Sequence, residues 1–481
     1  MKILPEFLKI KNNNKFFTIF NTFSEKERSE FCEFLQLSFV QKPRLSKIII
    51  YKIQTGTDLN DYLSEKYSKR SLWNIYSELT TSIMQFISFK EILSEKKEMH
   101  KLQRKQLNKR DLTKYLVQDY KNEIKHDLDS EFDFESMNNI YKSALNCLVS
   151  MFKSSDSKDI DSIFQIYSDY HIMNVFLELL SRRIEYEIRT EIYGKKNFYL
   201  YEEVYRFIDF ENILMVIYKF YPEYENIFKI IYNLNIVIND PDDYESFQNA
   251  KNIFFKNSSQ LTDKYKSDIL NVFTNICSLI TKRTTRNMGS DLFDIMKEKV
   301  RLGLINDLIA ANKGENHFRE YIHVALSVNE ISWAEDFLNK YSNLLPFNLR
   351  RNSINSALAF IELKKKNYVS AIEYAFMLNR KYYVYDLDFF RILICANFES
   401  GNLIECDSAK KRLHEYILRN SRFPQTYKKS AKKFIGCLSK LIKFKETNSK
   451  SILAELEYEV KNKSELMWRN WLIYVINESK K

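Results

Sequence analysis

Glycine and proline are almost missing from this chain: seven of one and six of the other in 481 residues, where average usage would make them about 12% of a protein. Proline removes a backbone donor and glycine lets the backbone turn. A chain poor in both reads as long helices joined by short polar turns. The scarcity also removes chemistry. No two glycines stand closer than Gly303 and Gly314. A phosphate-cradling loop, a dinucleotide fingerprint and a nucleophile elbow each need two or three glycines within about eight residues, because backbone must approach phosphate or turn sharply there. All three are excluded.

The length suits two to four ordinary domains or one extended repeat array, and 45% hydrophobic residues are ample for a packed core. Lys, Asn, Ile, Tyr and Phe, the residues an AT-rich genome encodes, are all abundant. Part of the lysine excess behind the net charge of +11 therefore needs no partner to explain it. No apolar run approaches the roughly 18 residues of a membrane span. The start, Met1 to Pro5, has no sustained apolar core, and Lys9, Lys11 and Lys15 break up the stretch after it. Cys32, Cys147, Cys277, Cys395, Cys406 and Cys437 show no CxxC spacing, so reduced, buried thiols and a cytoplasmic setting are expected.

Three segments are expected. Residues 1–126 open with a capping box, Ser24 with Glu27, ahead of Phe31, Phe34 and Leu35. A short helix holding Ile48 to Ile50 lies between Pro43 and Gly56. A long one comes next, with Leu72, Ile75, Tyr76, Leu79, Ile83, Phe86 and Ile87 as its buried stripe. Residues 127–135 place acids at every second position. A calcium loop would need glycine where Phe132 stands and a carboxylate where Asn138 stands, so a solvated acidic linker is expected. Residues 137–310 carry turn signals at Gly194, Tyr221-Pro222, Asn239 to Asp242, Asn257 to Ser259 and Thr284 to Asn287, spaced as helix hairpins are.

Residues 311–481 contain a repeat. Phe318, Tyr321, Ile322 and Ala325 mark a first helix. Ala334, Phe337 and Leu338 mark a second, and Pro346 ends the unit. Leu358 and Ala359, then Ala371 within Asn367 to Tyr374, form the next. Phe390, Leu393 and Ile394, then Cys406 after Gly401-Asn402-Leu403, form the third. The small residues Ala334, Ala371 and Cys406 recur at spacings of 37 and 35, where close helix crossings need them. Over about residues 315–420 this resembles tetratricopeptide-like helical repeats. Tyr383 and Leu418 stand in place of the terminal proline, and Glu362 and Asn397 in place of the first helix's aromatic. The whole chain also resembles uncharacterised Bacteroidetes-type bacterial helical proteins, a likeness that implies no activity. The last helix, with Leu466, Trp468, Trp471, Leu472, Val475 and Ile476, is expected to cap the array.

Catalytic constellations do not assemble. Glu123/His126 and Glu320/His323 have the spacing of di-iron bundle ligands, but the buried stripe 318, 321, 322, 325 leaves Glu320 and His323 to water. His126-Asp127, with His100 and His171 as outlying ligands, resembles a helical phosphohydrolase doublet but abuts the acidic break. Neither Cys395 nor Cys406 has a histidine spaced for nucleophilic catalysis. No enzyme, metal or cofactor is expected.

Charge is concentrated elsewhere. Residues 409–445 hold twelve Lys or Arg and one acid, Glu415, a net of +11 that equals the charge of the whole chain. Here Ala431, Phe434, Ile435, Leu438, Leu441 and Ile442 form an apolar stripe. Lys428, Lys429, Lys432, Lys433, Lys440 and Lys443 are the candidate surface for an acidic partner or polyanion, with Phe423 and Tyr427 as possible stacking rings. A second, weaker basic row is Lys97, Lys101, Lys105 and Lys109. The expected architecture is an all-α, right-handed superhelix of hairpins whose groove holds a protein partner, with nucleic-acid association as the alternative.

Overall fold

The computed structural model describes residues 14–37, 40, 43, 45–56, 59–154, 158–194, 199–284, 286–311, 314–380, 383–420, 425–462 and 466–480. It is all-helical: helix, in 25 α-helices and short 3-10 turns, makes up 84% of the described residues, and no strand occurs among them. Consecutive helices pack against one another in pairs. Among the described residues no helix is long and apolar enough to cross a membrane. By contact the chain divides into two units, residues 1–123 with 143–163, and residues 124–142 with 164–481. This division differs from the three segments 1–126, 137–310 and 311–481.

The first unit is built on phenylalanine. Ser24 accepts from the Glu27 amide while Glu27 returns a bond to the Ser24 amide, so the capping box starts helix Glu25–Phe34 as expected. Phe16, Phe17, Phe20, Phe31, Phe34 and Phe86 pack as one aromatic core, with Leu79 and Ile83 from helix Lys69–Ser94. Of Ile48 to Ile50, on helix Ser46–Gln54, only Ile49 is fully buried. Arg104 ties helix Lys96–Lys109 to its neighbours. Its guanidinium pairs with Asp119 and lies 2.6 Å from Glu123, which also accepts from Ser143.

In the second unit the expected turns fall between helices, with Thr285 outside the described residues. The acidic segment is solvated only in part: Asp129, Glu131 and Glu135 are exposed, but Asp127 and Phe132 are buried. Phe132 makes a two-residue parallel bridge with Leu261, through bonds of 2.8 Å to Gln260 and 3.0 Å from Thr262. Asp133 accepts from Thr262 at 2.8 Å and Glu135 pairs with Lys264 at 3.1 Å. Alternating acids with one phenylalanine between them give a short edge. Its ring packs on Tyr224 and Tyr265 while its acids meet a threonine and a lysine.

The C-terminal hairpins share one plan. Gly314–Ser327 pairs with Ile331–Tyr341, Phe347–Lys364 with Tyr368–Phe376, and Tyr383–Glu399 with Leu403–Arg419. Each first helix also packs on the first helix of the next hairpin. The turns are identical. Asn329, Lys366 and Gly401 have φ of +67°, +66° and +83°. The next amides along, of Glu330, Asn367 and Asn402, reach back five residues, to carbonyls of Ala325, Glu362 and Asn397, at 2.9, 2.9 and 2.8 Å. Ala334, Ala371 and Cys406 are wholly buried. Pro346 does not stop the second helix of the first hairpin. That helix ends at Tyr341, a 3-10 turn fills Ser342–Leu344, and Pro346 is the N-cap of helix Phe347–Lys364.

Candidate interaction surface

Helix Gln425–Thr447 presents the basic residues. Ala431, Phe434, Cys437, Leu438, Leu441 and Ile442 are buried at three- and four-residue steps, Ile435 is half-buried, and the remaining face is outside. Lys429, Lys432 and Lys443 are exposed, and Lys428, Lys433 and Lys440 half-buried. They differ in company. Lys440 lies 2.6 Å from Glu455 and 2.5 Å from Glu459, whose hydrogen bonds push its pKa up to about 12. Among the described residues, Lys428, Lys429, Lys432 and Lys443 form no ion pair. On the preceding helix Lys410 and Lys411 share Asp407 at 2.5 and 2.8 Å, and Arg419 is 3.5 Å from Glu415. The +11 of residues 409–445 is therefore partly neutralised by acids just outside that window. Tyr427 is half-exposed at 51%. Phe423 and Arg422 lie outside the described residues. In the weaker basic row, Lys101 pairs with Glu98 at 2.5 Å.

A second arrangement lies on the first helices. The spacings of 37 and 35 that relate the crossing residues also relate Asn316 to Ser353 and Asp388, Arg319 to Ser356 and Arg391, and His323 to Phe360 and Cys395. Several of these positions meet. Arg319 grips buried Asp388 through two bonds, 3.0 Å from Nε and 2.5 Å from Nη2, and Ser356 donates to the same carboxylate at 2.8 Å. The His323 ring stands at 75° to Phe360 with centroids 4.4 Å apart, and the Arg391 guanidinium lies 5.2 Å from the same ring's centroid. Burial, then Arg391 and Arg319, hold the His323 imidazole well below its ordinary pKa. His323 is not left to water: half-buried, it faces the neighbouring first helix. Glu320 is exposed as expected. The spacing that found the crossings could also have found Arg319, Asp388 and Arg391.

The other metal candidates scatter. Glu123 serves Arg104. His126 is exposed, 3.2 Å from Asp127. His100 stands 3.8 Å from Asp119, and His171 stacks on Tyr141 at 4.6 Å. Among the described residues no three His, Cys, Asp or Glu side chains group to hold a metal ion. All six cysteines are buried and free. Burial pushes the Cys406 thiol up to about 12, and its S–H points at the Ile394 carbonyl across the helix crossing at 3.7 Å. The chain matches no family model, no curated protein and no solved structure.

Proposed function

We propose that this chain is a non-enzymatic protein-interaction scaffold whose C-terminal hairpins hold an acidic peptide or acidic protein surface. One observation carries it: Lys428, Lys429, Lys432 and Lys443 stand without carboxylate partners on a helix whose apolar face is fully committed to the core. Between the first and last of them a helix rises about 22 Å, enough to meet several acids of one partner. In this reading the hairpins continue as a right-handed superhelix with the first helices along its inner face, and six buried free thiols suit a cytoplasmic setting. Nucleic-acid association is the second reading, favoured by half-exposed Tyr427 beside the lysines.

Fluorescence anisotropy with a labelled poly-glutamate peptide and with duplex DNA, at about 50 mM salt and above, separates the two. The scaffold reading expects saturable, salt-sensitive binding of the peptide, lost on replacing all four lysines by glutamine, and little or no binding of DNA. DNA binding with a steep salt slope, flattened by about three to four in the quadruple variant, would establish the second reading. Failure of both probes would remove both.

A further inference from the structure

We infer that Arg391, with His323 beside it, forms a binding site for a phosphate group on the first helices of the hairpins, separate from the lysine row. The argument starts from unequal treatment of two equivalent arginines. Arg319 has Asp388, a bidentate carboxylate that also accepts from Ser356. Arg391 occupies the corresponding place two hairpins along, and among the described residues it makes no ion pair and no hydrogen bond. Its contact is the face of Phe360, which seats the guanidinium over the ring without using any of its five donors. Half-buried, Arg391 keeps those donors open to solvent and to an incoming ligand.

His323 repeats the pattern. Among the described residues its ring nitrogens have no hydrogen-bond partner, and its ring contact is a T-shaped one with the same phenylalanine. The charged groups that act on it are Arg391 from helix Tyr383–Glu399 and Arg319 from its own helix, both positive. Helix Phe347–Lys364 meets it with the uncharged Phe360. Glu320, on the exposed side of the same helix, acts instead on buried Lys299 of helix Gly289–Arg301. The one carboxylate among these rows, Asp388, is already shared between Arg319 and Ser356. What remains is a fixed guanidinium and a neutral imidazole in a positive field, with their donors unspent. A phosphate answers both needs. Its oxygens accept from the guanidinium fork, and its negative charge offsets the field at His323 so that the imidazole takes up a proton and donates as well. A carboxylate brings fewer acceptor oxygens to the two donors. Phosphate binding and proton uptake at His323 are thereby coupled.

The test is NMR of the histidine side chains, titrated with pH in the absence and presence of inorganic phosphate, with acetate and a phosphoserine peptide as further arms. His323 should titrate below the ordinary imidazole value without phosphate and move up by about one unit or more with it, an affinity ratio between its two protonation states of about tenfold. Acetate should move it less. A larger shift at lower concentration with the phosphoserine peptide would place the phosphate on a partner's side chain, and an equal or smaller one would mark a free small anion. Arg391→Gln should abolish the shift while Arg391→Lys retains part of it, with helicity by circular dichroism unchanged in both. An unmoved His323, or an equal shift in Arg391→Gln, overturns the proposal.

Discussion

Single side chains on the first helices are where linear reasoning from the sequence fails and where contact explains why. His323 reads as water-exposed because a single apolar stripe accounts for the pattern of its helix. A first helix in this arrangement has two covered faces, one against its own second helix and one against the next first helix. Asn397 and Glu362, which replace expected aromatics, are used as polar anchors. Asn397 is buried and donates to the Leu393 carbonyl at 2.8 Å, and Glu362 accepts from Asn367 at 2.7 Å. Glu399 has a charge that the fold disfavours. Burial raises its pKa against the opposing pull of the Trp471 indole N–H at 2.8 Å, Tyr368, Lys366 and Lys364. A carboxyl raised in the native state binds its proton more tightly folded than unfolded. Its contribution is therefore complete below the unfolded value near 4.3 and is lost as pH rises through the folded value. Glu399→Gln keeps the acceptor for Trp471 and removes the charge. Its melting temperature should equal the parent's at about pH 4 and match or exceed it at about pH 7. A variant less stable at the higher pH would show that the ionised form is the one the fold wants.

At the level of helices and turns, the chain is readable wherever local chemistry decides. The capping box at Ser24, the turn at Gly401 and the buried stripe of helix Gln425–Thr447 all rest on residues within a few positions of one another. The acidic segment 127–135 reads wrongly as a linker because its partners, Gln260 to Lys264, lie some 130 residues away in sequence. Pro346 reads wrongly as a stop because the preceding helix ends earlier than its pattern suggests, at Tyr341. The repeated turn supplies an internal comparison. Gly401 and Lys366 hold the same left-handed conformation, which costs a side-chain-bearing residue about 1–2 kcal/mol. Gly401→Ala should therefore destabilise by about 1 kcal/mol, and Lys366→Gly should be neutral or slightly stabilising. Gly436 is helical with nothing near its would-be Cβ, so Gly436→Ala should stabilise by about 0.5–1 kcal/mol. Urea unfolding of the three variants checks the set. The same sign for Gly401→Ala and Gly436→Ala would contradict the turn assignment.

For the molecule as a whole, the shortage of glycine and proline is decisive: a chain that cannot turn often becomes helices, here 84% of the described residues. Where the charge goes is not legible in the same way. Counting residues 409–445 gives one acid, yet Asp407, Glu455 and Glu459 reach in from neighbouring turns and helices and take Lys410, Lys411 and Lys440. The seam of Arg319, Asp388 and Arg391 is hidden for a related reason, since pairing across 69 residues depends on hairpins stacking in register. That register is the central claim: residues 314–419 are one hairpin drawn three times, crossing at Ala334, Ala371 and Cys406. The most direct measurement is urea unfolding of Ala334→Leu, Ala371→Leu and Cys406→Leu beside a leucine at exposed Lys429. Each crossing variant should lose about 1–3 kcal/mol, as overpacked sites do, and the control less than about 0.5 kcal/mol. Losses at the three crossings no greater than at Lys429 would contradict it.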